Sequence, residues 1–210
     1  MIVYLFYFVN IVGLFTLAFY FLLSKTSVSK NIFPYVFLVA FSSLVDLILI
    51  NFLELDSEKW SQVYMCLEFI VLLKVFTSIG GHKFRYVSGF FIFFFFLLLL
   101  YFNLVTDAYS SIKSDGILSI ITFVYIIFFA IYWFIAIFEK SVVPTILNLP
   151  LFYFVSGLII YNSGTLFLFL MLEEIENSEW NFYEYWYVNL VLVLLFRILL
   201  LIAIWKGRKT

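Results

Sequence analysis

Four ionisable side chains stand inside long apolar stretches of this 210-residue sequence. They are Asp46, Glu68, Lys74 and Arg197. A charge in the interior of a bilayer costs at least about 2.5 kcal/mol on the mildest insertion scale, so each residue needs a partner, a route to water or a function. The chemistry open to such residues is ion pairing, ligand or ion binding, or a charge-sensitive switch.

The four residues differ in depth within their predicted helices. Lys74 is about 8 Å from the nearer end of its helix, which its flexible stem can span, so we predict an anchor at the inner interface. Glu68 and Asp46 lie about 12 and 10 Å from the opposite, outer surface, too far for short carboxylate side chains. Arg197 lies near the middle of the last apolar stretch. We therefore predict that these three face the interior of a bundle.

We predict that Asp46, Glu68 and Arg197 form an intramembrane polar cluster in which Arg197 bridges one or both carboxylates by charge-assisted hydrogen bonds. Two interpretations of a Glu68–Arg197 pair remain open at this point. It can only fix the register of the helices, or it can act as a switch or a ligand site. For Asp46, the nearby Ser42 and Ser43 also allow a local hydrogen-bonded polar face.

Other polar residues point to helix packing or to a pocket. Tyr161 and Asn162 lie in the middle of the sixth apolar stretch, and Asn189 lies in the seventh. They can line a pocket, although hydrogen bonds to neighbouring helices are the interpretation we favour for Tyr161 and Asn162. A stripe of small and polar residues at three-residue spacing in the first stretch predicts a close-packed helix face: Asn10, Gly13 and Thr16.

The elements that hold these residues follow from composition. The chain is 66% hydrophobic and 12% charged, with a mean hydropathy of +1.14, which excludes a soluble domain, a disordered chain and a nucleic-acid binder. A spanning helix needs about 20 apolar residues. Seven stretches qualify, and we predict an all-α polytopic membrane protein, one domain (1–210) forming a bundle of seven transmembrane helices. These spans one to seven cover residues 2–23, 31–53, 60–79, 86–105, 116–138, 149–172 and 186–205.

The charges between the spans are segregated by sign. One set of connections has eight basic residues and one acid, and the other has ten acids and two basic residues. Since lysine and arginine stay on the cytoplasmic side, we predict the N-terminus outside and the C-terminus inside. Aromatic residues at the span ends predict interface positions, with Trp60 outside and Tyr35 inside. The acids on the predicted outer side are Glu54, Asp56, Glu58, Asp107, Asp115, Glu173, Glu174, Glu176, Glu179 and Glu184.

Features of an enzyme are missing from the sequence. Cys66 and His82 are the only residues of their types, so we expect no intrachain disulfide, metal site or haem site. The sequence contains no phosphate-binding loop or kinase motif, and we expect no cofactor and no enzymatic activity. The predicted cytoplasmic connections are too short to hold a folded domain, since even marginal domains need about 40 residues.

Three stretches of the last third resemble a known group, and one of them is LFLF at 166–169. Pro144, LPLFY at 149–153 and GLIIYNSG at 157–164 resemble the P…LPxFW…GxLIYxxG segment of small, uncharacterised seven-span proteins common in Bacteroidetes. The last span, from Trp186 through Asn189 to IWK at 204–206, is similar to that group's closing helix. Tyr153 departs from the group's Trp, and Arg197 stands where a polar amide is expected. Such proteins resemble the membrane sensor modules that accompany sensor histidine kinases, which implies signal transduction but names no ligand.

Three functions remain open from the sequence. The first is a non-enzymatic sensor or signalling module in the bacterial cytoplasmic (inner) membrane. Its partners would be the lipid bilayer and a cytosolic protein, with homo-oligomerisation open and no nucleic acid expected. The second is a transporter or channel for small solutes or ions, with Asp46, Glu68 and Arg197 on the pathway, although no inverted repeat supports it. The third is a membrane accessory protein of a bacterial defence system.

Overall fold

The computed structural model describes residues 2–23, 27–48, 57–105, 111–139, 146–176 and 182–208. Apart from the chain turns at 149 and 207–208, these residues are helical. The backbone hydrogen bonds of each segment are thus satisfied within the segment, as a lipid environment requires. The helices are α1 (Ile2–Leu23), α2 (Ser27–Ile48), α3 (Ser57–Val105), α4 (Ser111–Glu139), α5 (Pro150–Glu176) and α6 (Phe182–Lys206), with a 3-10 turn at Ile146–Asn148.

Helix α3 contains two spans that meet at Gly81. The backbone of Gly81 has φ 70° and ψ −161°, a conformation that is essentially restricted to glycine. The chain reverses there, and Phe69 of span three stacks on Phe95 of span four with 4.1 Å between the ring centroids. The sequence predicted a six-residue connection at 80–85, whereas the structure reduces the turn to this glycine and places Arg85 at the start of span four.

Seven helical segments within the described ranges are long and apolar enough to cross a membrane. The predicted starts at residues 2, 60, 116 and 186 and the predicted end at residue 23 agree with the structure, and the other boundaries move by a few residues. Residues 49–53, which the sequence analysis included in span two, lie outside the described part of the chain. The segments are Ile2–Leu23, Lys30–Ile48, Trp60–His82, Phe84–Phe102, Gly116–Glu139, Pro150–Leu168 and Trp186–Lys206.

Six of the spans form a closed ring, and span four packs against its outside. Neighbours in the ring are spans one and two, two and three, three and five, five and six, six and seven, and seven and one. Span four contacts spans three and five through aromatic side chains. The polar side chains described below lie where spans one, two, three, six and seven of this ring meet.

An aromatic core joins spans three, four and five. Phe76 stacks on Phe129 with 3.8 Å between ring centroids. Tyr125 is fully buried and its ring contacts Phe69 and Phe91 at 5.7 and 5.2 Å. Its hydroxyl is hydrogen-bonded to Ser88 at 2.9 Å. This half of the bundle is therefore a packed structural unit with little polar chemistry.

The outer surface of the bundle is apolar. Tyr4 is 81% exposed, and large aliphatic and aromatic side chains are exposed on the outward face of every span. A soluble protein rarely exposes apolar patches larger than a few hundred Å². This surface, together with the seven apolar helices, indicates a multi-pass membrane protein.

Candidate functional site

Glu68 is a buried carboxylate in the middle of span three. Only 6% of the surface of Glu68 is exposed. Tyr35 of span two donates its phenolic hydrogen to Oε1 of Glu68. Hydrogen bonds to a charged acceptor are worth more than neutral ones, so this contact ties spans two and three together at the level of the carboxylate.

Tyr35 also connects Glu68 to spans six and seven. Its side chain is fully buried, and its ring meets Phe154 and Phe196 edge to face, with centroids 5.4 and 5.6 Å apart. The sequence analysis predicted Tyr35 as an aromatic anchor at the inner interface, and that prediction is wrong. The ring turns inward because its hydroxyl finds a carboxylate acceptor and its faces find aromatic partners.

Arg197 of span seven is buried against span one. Its Nη1 donates to the backbone carbonyl of Val9. Nη1 and Nη2 also lie 3.4 and 3.5 Å from Oδ1 of Asn10, which is the far limit of a hydrogen bond. A carbonyl oxygen has two lone pairs, so Val9 can accept this bond in addition to its bond within the helix. The guanidinium charge is thus held by the backbone and an amide of span one.

Gly13 leaves the space that the guanidinium occupies. A Cβ at this position would lie 2.8 Å from both Cζ and Nη1 of Arg197 and would collide with Oγ of Ser43. The hydroxyl of Thr16 donates a hydrogen bond of 2.6 Å to the backbone carbonyl of Gly13, so it is not a hydrogen-bond partner of Arg197. The predicted packing stripe of span one therefore has a second role, because it makes room for a buried charge.

The predicted Glu68–Arg197 pair is not formed. Within the described part of the chain no ion pair joins these two side chains, and their hydrogen bonds go to different partners. Similar depth made the pairing plausible, but depth does not define the rotation of a helix about its axis. Glu68 points to span two and Arg197 points to span one. The carboxylate that interacts electrostatically with Arg197 is Asp46.

Asp46 joins spans two and three nearer the predicted outer end. It accepts a hydrogen bond of 2.9 Å from Nε1 of Trp60. Ser43, one turn earlier, donates to the carbonyl of Val39 in its own helix at 2.9 Å, and Ser42 is buried. Asp46 thus has a specific partner, and it is not a member of a local serine network.

Tyr64 is a residue of this region that the sequence analysis missed. It lies one turn before Glu68, on the same face of span three, and one turn after Trp60, whose ring is 6.4 Å away. Tyr64 is close enough to interact electrostatically with Glu68, Asp46, Arg197 and Tyr161. Trp60, Tyr64 and Glu68 follow one another at four-residue intervals, and this spacing was the sequence signal for Tyr64.

The three residues predicted to line a pocket have different surroundings. Tyr161 stacks on Phe196 with 5.6 Å between ring centroids and interacts electrostatically with Glu68. Asn162 is buried and donates to the carbonyl of Leu158 in its own helix at 3.0 Å, so it does not bridge to a neighbouring helix. Oδ1 of Asn189 is buried without a hydrogen-bond partner. Of the three, Tyr161 belongs to the Glu68 region.

Most of the charged residues at one end of the bundle are exposed, and Lys206 is half-buried. We call this end the basic end; the described residues that define it are Lys30, His82, Arg85, Lys206 and Arg208. Lys206 donates to Oδ1 of Asn148 at 3.3 Å, which links the end of span seven to the turn before span six. Glu139 is exposed at the same end. Lys74, predicted as an anchor at the inner interface, is exposed on span three.

The acids of the opposite connections fall outside the described side chains. This applies to all ten acids and to both basic residues of the predicted outer side. Within the described ranges, no three histidine, cysteine, aspartate or glutamate side chains lie together as ligands of a metal ion. The described groups available for chemistry are therefore Glu68 with the neighbouring Tyr35, Tyr64 and Tyr161, and the separate sites of Arg197 and Asp46.

The chain was compared with protein-family models, with characterised proteins and with solved structures. None of these comparisons gives a match. The resemblance of the last third to small seven-span bacterial proteins stays a prediction, and functional inference rests on the geometry of the polar residues.

Proposed function

We propose that this protein is a non-enzymatic membrane sensor or signalling module that acts through a cytosolic protein partner. The observation that carries the proposal is the bond between Tyr35 and Glu68, at the point where spans two, three, six and seven meet. A buried carboxylate is costly to strand, so the positions of these helices and the state of Glu68 depend on each other. Such dependence is what a switch requires.

The orientation we propose has the N-terminus outside and the C-terminus inside, in the cytoplasmic membrane of a bacterium. The segregation of charge supports it, because eight of the nine charged residues in one set of connections are basic. The exposed side chains of Lys30, Arg85 and Arg208 at the basic end agree with a cytoplasmic location for that end. The bacterial assignment rests on the resemblance of the last third.

A separate protein would carry the output. The turn between spans three and four consists of Gly81, and the 3-10 turn before span six covers three residues. Neither can hold a folded domain. An exposed basic surface attracts an acidic one over distances of about 10 Å at moderate salt. The partner we propose therefore presents an acidic surface to the basic end.

The test measures whether the Tyr35–Glu68 bond controls the basic end. Spin labels are attached at Arg85→Cys and Arg208→Cys in a Cys66→Ala background, and their distance distribution is recorded in nanodiscs. Tyr35→Phe is expected to shift the distribution, whereas Tyr4→Phe, on an exposed residue, is not. A distribution that is identical in Tyr35→Phe and in the parent would contradict the proposed coupling.

A transporter or channel is the second candidate, because Asp46, Glu68 and Arg197 all lie between spans of the ring. A pore also needs polar residues along one face of several helices. Spans four and five instead pack through an aromatic core. We expect no ion flux from purified protein in liposomes at either sign of voltage. Steady currents that vanish in Glu68→Gln would favour the transporter and overturn the sensor.

A further inference from the structure

The charges inside the bundle leave one carboxylate without a counter-charge. Asp46 lies near enough to Arg197 to attract it electrostatically, although the described residues form no ion pair there. Lys74 is exposed on the surface of span three. Among the described residues, Tyr35 donates to Oε1 of Glu68, and no cation lies within ion-pair distance of the carboxylate. The interior around Glu68 therefore has a net charge of −1 when this group is ionised.

The groups around Glu68 are aromatic and carry hydroxyl oxygens. Tyr35 contacts the carboxylate directly, Tyr64 lies one turn away on the same helix face, and Tyr161 interacts with Glu68 from span six. The face of an aromatic ring is negative and attracts cations, and the phenolic oxygens can accept hydrogen bonds. A carboxylate with three tyrosines is a suitable environment for an organic cation.

Span three carries a row of side chains that ends at Glu68. Trp60, Tyr64 and Glu68 recur at four-residue intervals and share one helix face. Asp46 binds the indole of Trp60 at the outer end of this row. Asp46 and the two aromatic side chains therefore lie on the predicted outer side of the carboxylate.

We propose that Glu68, with Tyr35, Tyr64 and Tyr161, forms a binding site for a small organic ammonium ion. An ammonium group donates hydrogen bonds to Oε2 and to the phenolic oxygens while its positive charge lies near the rings. Hard metal ions fit less well, since calcium takes six to eight oxygen ligands, mostly carboxylate and carbonyl. This inference rests on the proposed function in one respect: the ammonium compound would be the signal that the module senses.

Binding is tested with ethylammonium chloride as the probe, on the full chain in nanodiscs. The readouts are ligand-observed NMR and the rise of the unfolding temperature with probe concentration. We expect saturable binding that neither sodium chloride at equal ionic strength nor the neutral 1-propanol reproduces. Equal effects of sodium, or of propanol, would overturn the ammonium site, as would the lack of saturable binding to the folded protein.

Variants assign the site to Glu68 and its tyrosines. Glu68→Gln is expected to weaken ethylammonium binding at least tenfold, because it removes the charge, whereas Glu139→Gln, on an exposed acid at the basic end, leaves binding unchanged. Tyr64→Leu is expected to weaken binding several-fold and Tyr4→Leu to have no effect. If Glu68→Gln does not fold, the tyrosine comparison decides. Unchanged affinity in Tyr64→Leu and in any folded Glu68 variant would refute the assignment.

Different results would contradict the ammonium site and the proposed sensor function. Spin labels at positions 85 and 208 report whether ethylammonium moves the basic end. Binding without such movement contradicts the sensor but leaves the site intact. Absence of binding, together with movement caused by Tyr35→Phe, contradicts the site but leaves the sensor intact.

Discussion

Replacing Gly13 by alanine tests whether span one is shaped around the buried arginine. The new methyl group would lie 2.8 Å from Cζ and Nη1 of Arg197, whereas carbon atoms in contact prefer about 3.5–4.0 Å. The guanidinium would therefore have to withdraw by about 1 Å. Withdrawal pulls Nη1 away from the carbonyl of Val9, the strongest contact of the arginine.

The expected cost follows from two effects. Overpacking a filled interior costs about 1–3 kcal/mol. Losing a hydrogen bond to a charged donor costs about 1.5–3 kcal/mol. The two overlap, since relaxing the clash is what weakens the bond, so we expect a loss of about 2–5 kcal/mol for Gly13→Ala. This is a large part of a typical unfolding free energy of about 5–15 kcal/mol.

Gly89→Ala is the matched control for this measurement. A Cβ on Gly89 would meet no atom within 4 Å, and Gly89 lies in a helix of the same apolar type. Alanine is favoured over glycine inside helices by about 0.5–1 kcal/mol, so the control should be neutral or slightly stabilising. Both variants are compared by thermal unfolding in detergent micelles, with retention of the monodisperse peak on a sizing column as the second readout.

A second substitution separates the contacts of the new methyl group. Oγ of Ser43 is the atom nearest to a Cβ on Gly13, so Ser43→Ala should restore part of the stability lost in Gly13→Ala. The two substitutions are combined in a double-mutant cycle, which isolates their interaction. If Gly13→Ala unfolds at the same temperature as the parent, span one does not confine the arginine as described. Strict additivity with Ser43→Ala would refute the packing at Ser43.

Four further outcomes are expected. Tyr35→Phe should cost about 1.5–3 kcal/mol in detergent unfolding, because it strands the Glu68 carboxylate; no loss would contradict the bond. Gly81→Ala should cost about 1–3 kcal/mol by the same measurement, since alanine rarely adopts its backbone conformation. Glu68→Gln and Arg197→Met should have additive effects on stability, because the two side chains have different partners. A double variant that loses less stability than the sum of the two single losses would instead support the ion pair predicted from the sequence. A reporter fused after Thr210 should be cytoplasmic, and an external reporter would overturn the proposed orientation.

The seven spans could be predicted from the sequence because the bilayer leaves little choice. A run of about 20 apolar residues must form a helix, and several of its ends carry tryptophan or charge. The starts at Trp60 and Trp186 therefore agree with the structure. The connection between spans three and four was predicted too long, although Gly80 and Gly81 were a visible sign of a tight turn.

The contacts of the buried charges could not be predicted because sequence defines depth better than rotation. One residue of helix corresponds to 1.5 Å of height, so Glu68 and Arg197 were expected in the interior of the bundle, and both are buried. The same residue step turns the helix by about 100°, and the packing of all seven spans decides which neighbour each side chain meets. Tyr35 was misplaced for a related reason, since an aromatic residue near a span end is equally compatible with the interface and with the interior.

The separation of Glu68 from Arg197 changes what the bundle can do. A direct pair would have neutralised both charges and locked spans three and seven together, leaving little for a ligand to change. In the structure the arginine is bound by Val9 and Asn10 of span one, so a cation at Glu68 would not have to displace it. Tyr35 connects that carboxylate to spans two, six and seven, and span seven leads through Lys206 to the basic end. Under the proposed function, a change of charge at Glu68 would reach that end through Tyr35, Phe196 and the helix of span seven.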